Sequence, residues 1–185
     1  KSLHKKLDDK NEKKDMKQHD FIQIKTGINH FIGLTKQGHV MGWGDNEKGQ
    51  CGIETTTNII ETPTKINVFN DKVTAISVGN DHSIALTEKG DVYCWGSNDE
   101  KQSSMENESN IRRPTKYTLP LLIDENITQI DAGESDTFVT TNHGNVYQWG
   151  FQCQRFQKPR KLSIDMQHSK DQITHILRGV SHNVL

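Results

Sequence analysis

Apolar residues along this chain fall into short runs of β-branched and aromatic side chains, separated by glycines and polar turns, with no stretch of helical period. Ser83-Ile84-Ala85-Leu86-Thr87 alternates with period two, which predicts a half-buried strand. Before it, Ile76-Ser77-Val78 is a second short strand, ended by Gly79, a glycine expected to hold a positive φ. After it, Thr87-Glu88-Lys89-Gly90 reads as a hairpin turn into a third strand, Asp91-Val92-Tyr93-Cys94-Trp95, released at Gly96.

The same sequence of elements recurs. Anchor glycines Gly27, Gly79, Gly133 and Gly179 stand 52, 54 and 46 residues apart. Three residues before each is an isoleucine: Ile24, Ile76, Ile130 and Ile176. Three residues after come His30, His82, Asp136 and His182. Gly38, Gly90 and Gly144 hold the turn, and each third strand ends on Trp-Gly: Trp43-Gly44, Trp95-Gly96 and Trp149-Gly150. A fourth strand is predicted where Pro63, Pro114 and Pro159 each open a run of Pro, polar, basic, apolar; proline is tolerated at the start of an edge strand because it donates nothing to the ladder. Four strands per unit of about fifty residues make an all-β propeller of four-stranded antiparallel blades. The blade repeats fall near 21–62, 63–113 and 114–158, with the start of a fourth at 159–185.

Residues Val73 to Asn98, and nearly as well Phe21 to Gly52, resemble the regulator of chromosome condensation repeat. The first copy carries that family's G-Q-x-G tail as Gly49-Gln50-Cys51-Gly52; the second reads Lys101-Gln102-Ser103-Ser104, losing both glycines, and the third has Asp136 in the histidine place and no recognisable tail. The resemblance implies a seven-bladed propeller, of which this chain holds about three and a half blades. The remaining blades are therefore expected from the same chain or another, since a half circle leaves blade faces exposed. Residues 1–20, with seven lysines and five acidic residues, fall outside the repeat and read as a solvated, flexible linker or insertion.

Composition narrows the function classes. With 23 basic and 24 acidic residues in 185, the chain shows no basic excess of the kind nucleic-acid binders carry, so no nucleic-acid partner is expected. No apolar run approaches the length of a membrane span. Cys51, Cys94 and Cys153 form no C-x-x-C pair and read as reduced thiols in an intracellular compartment, with neither metal nor disulfide framework. His30, His82 and His182 lie one blade apart and read as ordering residues that bond backbone at a strand start, and the tryptophans as inter-blade packing. No phosphate loop, nucleophile elbow or paired-carboxylate spacing is present, so no cofactor and no enzymatic activity are expected.

What is left for function is the loops that differ between copies. The segment with Phe151, Arg155, Phe156, Lys158 and Arg160 is basic and aromatic, and is a candidate partner contact. The expectation is a non-catalytic protein–protein interaction propeller, a scaffold or subunit of a larger assembly. The family resemblance adds an alternative: guanine-nucleotide exchange on a Ran-type small GTPase.

Overall fold

The structure is a computed structural model, and it describes residues 20–104, 107–151, 159–162, 177–178 and 183–184. Three antiparallel four-stranded sheets follow one another, each a meander in which neighbours in sequence are neighbours in space. The first contains β1 (Phe21–Thr26), β2 (His30–Thr35), β3 (Val40–Asp45) and β4 (Ile59–Lys65). The second contains β5 (Val73–Val78), β6 (His82–Thr87), β7 (Val92–Ser97) and β8 (Asn110–Tyr117). The third contains β9 (Ile127–Ala132), β10 (Asp136–Thr141), β11 (Val146–Gly150) and the short β12 (Arg160–Leu162). A two-stranded ladder of β13 (Leu177–Arg178) and β14 (Asn183–Val184) follows. Among the described residues there is no helix long and apolar enough to cross a membrane.

The register repeats with the sequence. His30 lies opposite Gly44, His82 opposite Gly96 and Asp136 opposite Gly150; the next residues pair as Phe31 with Trp43, Ser83 with Trp95 and Thr137 with Trp149. The strand read as half-buried from its period-two pattern, Ser83–Thr87, is instead buried along its whole length, as is β10, because these second strands are covered on both faces. One apolar cluster joins blades 1 and 2 through Ile32, Leu34, Val40, Ile76 and Trp95. A second joins blades 2 and 3 through Ile84, Cys94, Tyr117, Val139 and Trp149.

Two expectations need correction. The strands with Pro63 and Pro114 pair with the third strand of the preceding sheet, so the first two sheets run to Lys65 and Tyr117 rather than ending at residues 62 and 113. Each proline sits inside its edge strand, where the register shifts between Gly42 and Gly44 or between Cys94 and Gly96; a bulge needs no amide at that point. Nor do Gly27 and Gly79 have positive φ. They are glycine because the histidine three residues on and a carbonyl of the next blade crowd them. A Cβ would come within 2.5 Å of the imidazole Nδ1 at either position, and within 2.7 Å of Asn80 O at Gly27 or 2.2 Å of Gly133 O at Gly79. Gly179 and His182 lie outside the described residues.

Candidate functional site

Each joint between blades is built from one repeated set of polar atoms. After Trp43-Gly44 and Trp95-Gly96 the chain makes a compact loop, opened by Asn46 in blade 1 and Asn98 in blade 2. The Asn46 carboxamide accepts from Cys51 N at 3.1 Å and donates to Ile53 O at 2.9 Å. Asn98 accepts from Ser103 N at 3.1 Å and Ser104 N at 2.8 Å and donates to Glu108 O at 2.7 Å. Gln50 and Gln102 close the loops with their own side chains, each Oε1 accepting an amide N–H at 2.9 Å. That leaves the main-chain carbonyls of Gln50 and Gln102 pointing at the next blade.

Both lone pairs of each carbonyl are used. Gln50 O accepts from Trp95 Nε1 at 2.9 Å and from Ser83 Oγ at 3.0 Å. Gln102 O accepts from Trp149 Nε1 at 3.0 Å and from Thr137 Oγ1 at 2.9 Å. Each hydroxyl also meets the histidine of the preceding blade: His30 Nε2 lies 2.9 Å from Ser83 Oγ, and His82 Nε2 lies 3.0 Å from Thr137 Oγ1. A hydroxyl has one proton and gives it to the carbonyl, so the imidazole Nε2 is the donor and the neutral ring is protonated there. The histidines thus bond side chains of the next blade, where backbone partners at the strand start were expected.

Burial holds His30 in that neutral state, pushing its pKa down to about 4 against the pull of Asp81 and Asp45. Its buried Nδ1 faces Gly27 with no acceptor, so a second proton there would be unpaired. Blade 3 departs at the equivalent place: Asp136 accepts from Gln148 Nε2 of its own sheet at 3.0 Å. Cys51 and Cys94 are buried free thiols; burial pushes Cys51 up to about 12 and raises Cys94 as well, which makes both poor nucleophiles.

The sequence quoted the Gly-Gln-x-Gly tail without its role, and it gave no bridging role to Ser83, Thr137 or Asn46. The signal was available: asparagine three residues and glutamine seven residues after the tryptophan in both copies. The loss of tail glycines in blade 2 is also smaller than it looked. Gly49 has φ 79°, and Lys101 takes the same left-handed conformation at φ 62°.

Two faces remain for partners. On one lie the tail loops and the β1–β2-type turns, stitched by Lys48 to Asp81 at 2.7 Å and by Arg112 Nη2 to Glu47 O at 3.0 Å. The hydrogen bond to Asp81 raises the Lys48 pKa. On the other lie the hairpin turns and the connectors 66–72 and 118–126. The second connector is held by Glu125, a buried carboxylate accepting from Leu122 N, Thr141, Asn145 and Tyr147. Burial pushes its pKa up, but these four donors outweigh burial and bring it down to about 2. The basic, aromatic segment is only partly placed: Phe151 and Arg160 are exposed, while Arg155, Phe156 and Lys158 lie outside the described residues. Among the described residues no three His, Cys, Asp or Glu side chains come together as a metal site.

The regulator of chromosome condensation (RCC1) repeat matches residues 21–50, 37–86 and 73–102. Protein pim1 of Schizosaccharomyces pombe is 32% identical over 142 residues, covering 73% of this chain and 26% of that protein. The human probable E3 ubiquitin-protein ligase HERC6 is 31% identical over 133 residues, 69% of this chain and 12% of that protein. The crystal structure of Prp20p from Saccharomyces cerevisiae superposes with a TM-score of 0.67 at 21% identity, covering 78% of this chain and 39% of that one. This chain therefore spans about a quarter or less of the two relatives' length. With the repeated frame, the joints it builds and these matches in agreement, the chain belongs to the regulator of chromosome condensation repeat family of β-propellers.

Proposed function

We propose that this chain is a non-catalytic protein-interaction section of a propeller, a scaffold or subunit of a larger assembly. The observation that carries the reading is where the repeated polar residues go. His30, His82, Ser83, Thr137, Trp95 and Trp149 are all engaged in holding blade to blade. What differs between blades is the loop sequence, presented on a frame whose joints are hydrogen-bonded and buried, and preorganised loops lower the ordering cost of binding. The test is affinity purification of the full-length protein from its own cells, beside a version whose loop 46–58 carries the blade 2 sequence and a version whose connector 118–126 carries the blade 1 sequence. A partner retained by the parent and lost from one loop variant supports the reading; a solitary, monodisperse protein overturns it.

A second reading rests on the family resemblance and is guanine-nucleotide exchange on a small GTPase. The Prp20p structure is described with binding properties to Gsp1p and histones; at that identity the likeness supports the fold, and exchange has to be measured. Release of a fluorescent GDP analogue from Ran-type GTPases by the full-length protein decides it, and no acceleration removes the reading.

A further inference from the structure

The hairpin-turn face changes charge between blades 1 and 2. In blade 2 the turn reads Thr87-Glu88-Lys89-Gly90-Asp91, and its lysines are paired: Lys116 Nζ lies 2.8 Å from Asp91 Oδ1 and Lys89 Nζ 2.6 Å from Asp71 Oδ1. Blade 1 reads Thr35-Lys36-Gln37-Gly38-His39, so a lysine stands for Glu88 and a histidine for Asp91. Lys65 occupies the register position of Lys116, opposite Met41 as Lys116 is opposite Tyr93. With Asp91 replaced, Lys65 has no carboxylate within ion-pair reach among the described residues, and neither have Lys36 and Lys72.

Lys65 and Lys72 border a groove of about 350 Å³. Its apolar lining is Val40, Ile66 and Phe69; Gln37, Asn67 and Asn70 are exposed amides around it. Lys72 is exposed, and its stem lies across the turn: a Cβ on Gly38 would come within 2.2 Å of Lys72 Cγ. The equivalent turn glycines Gly90 and Gly144 have nothing within 4 Å. The carboxylate that lines the groove, Asp71, is already engaged by Lys89.

We propose that this groove binds an acidic segment of a partner protein, with Lys65, Lys72 and His39 receiving carboxylates. Ammonium groups act as point charges and accept carboxylates from a flexible chain without fixed fork geometry. The exposed amides suit a peptide backbone. A nucleic-acid duplex or an anionic bilayer would have to span Glu88, Asp91 and Asp124 on the same face, so the local charge selects a short acidic stretch over a continuous anionic surface. This partner class rests on the interaction-module reading and names what one face of it takes.

The test is fluorescence anisotropy of a labelled glutamate-rich decapeptide titrated with the full chain. Two ion pairs in a partly exposed groove predict that Lys65→Ala with Lys72→Ala weakens binding by about tenfold. His39→Asp, which copies the folded blade 2 turn and gives Lys65 a partner, is expected to weaken it similarly. Lys116→Ala, whose cation is already paired to Asp91 outside the groove lining, leaves it unchanged. The proposal is overturned if the peptide does not bind, if the blade 1 variants bind as the parent does, or if inorganic phosphate or duplex DNA binds as tightly through the same lysines. If the lysine variant still co-purifies with the partner of the parent protein, the groove is wrong and the interaction reading stands.

Discussion

Trp43 and its two counterparts have the same sequence frame and different surroundings. Trp95 and Trp149 are fully buried; each gives its indole N–H to the tail carbonyl of the blade before it and meets an aromatic from the connector after that blade or from its last strand. Phe69 lies 6.1 Å from Trp95, and Tyr117 stacks on Trp149 at 4.4 Å and 14°. Trp43 is only half-buried, and its aromatic neighbours come from its own sheet: Phe31 stacks on it at 5.4 Å and 8°, with Phe21 at 5.8 Å. Phe31 also stands where blades 2 and 3 have the bridging hydroxyl. Ile22, Ile24 and Ile28 are exposed nearby in sequence. The repeated motif sets up a half-joint, and the neighbouring blade decides whether it becomes a buried hydrogen-bonded joint or an apolar face stacked on itself.

That contrast has a sharp thermodynamic consequence. Trp95→Ala is expected to cost roughly 3–5 kcal/mol, since it opens a cavity and leaves the Gln50 carbonyl with one donor fewer. Trp43→Ala should cost less than half as much, because a half-buried ring with no tail carbonyl to meet among the described residues has less to lose. Urea denaturation followed by far-UV circular dichroism measures both. Equal losses would mean that the joint adds nothing to the packing of the sheet itself.

The next effect belongs to the histidine at the first joint. With its pKa at about 4 in the folded chain and about 6.5 in the unfolded one, His30 takes up its proton first in the unfolded chain as pH falls. Its neutral form therefore stabilises the fold fully above pH 6.5, and that stability is lost as pH drops from about 6.5 to about 4. The loss is on the order of 3 kcal/mol for the shift from 6.5 to about 4. Denaturation midpoints measured across that range should fall steeply for the parent and less steeply for His30→Gln, which starts less stable at neutral pH. Parallel curves would place the acid sensitivity elsewhere in the molecule.

The architecture was legible because its signal was redundant: about ten positions recur in order, and period-two strands between glycine turns admit few folds. The joints were not. The acceptor in each is a main-chain carbonyl, which any residue supplies, and its placement depends on a loop closed by Asn46 and Gln50 or Asn98 and Gln102. Ser83 and Thr137 looked like ordinary strand residues because a hydroxyl on a period-two face has no distinguishing pattern. The reason for Gly27 and Gly79 was hidden in the same way, since the clash that forbids a side chain there comes from an imidazole three residues on and a carbonyl of the next blade. Partner-contact residues are harder still, because loops that vary between repeats carry no periodicity to check them against.

The smallest effect separates the two tails themselves. Gly49 and Lys101 close equivalent loops, each donating its amide at 3.0 Å to the asparagine that opens the loop. Glycine adopts the left-handed conformation without steric cost, whereas a lysine there is strained by about 1–2 kcal/mol per residue. Part of that gain is offset because glycine loses more chain entropy on folding, by roughly 0.5–1 kcal/mol. Lys101→Gly should therefore stabilise blade 2 slightly, by about 0.5 kcal/mol, with no change in the Gln102 carbonyl that Trp149 and Thr137 meet. Gly49→Ala goes the other way: at φ 79°, its Cβ would lie 2.4 Å from Arg112 Cα, so the loop must shift and carry the Gln50 carbonyl with it. Paired denaturation curves for the two variants show whether the tail is a fixed part of the joint, since a stabilised Lys101→Gly beside a weakened Gly49→Ala requires the same backbone in both loops. If both variants prove neutral, the loops tolerate movement, and the carbonyls are held from the tryptophan side alone.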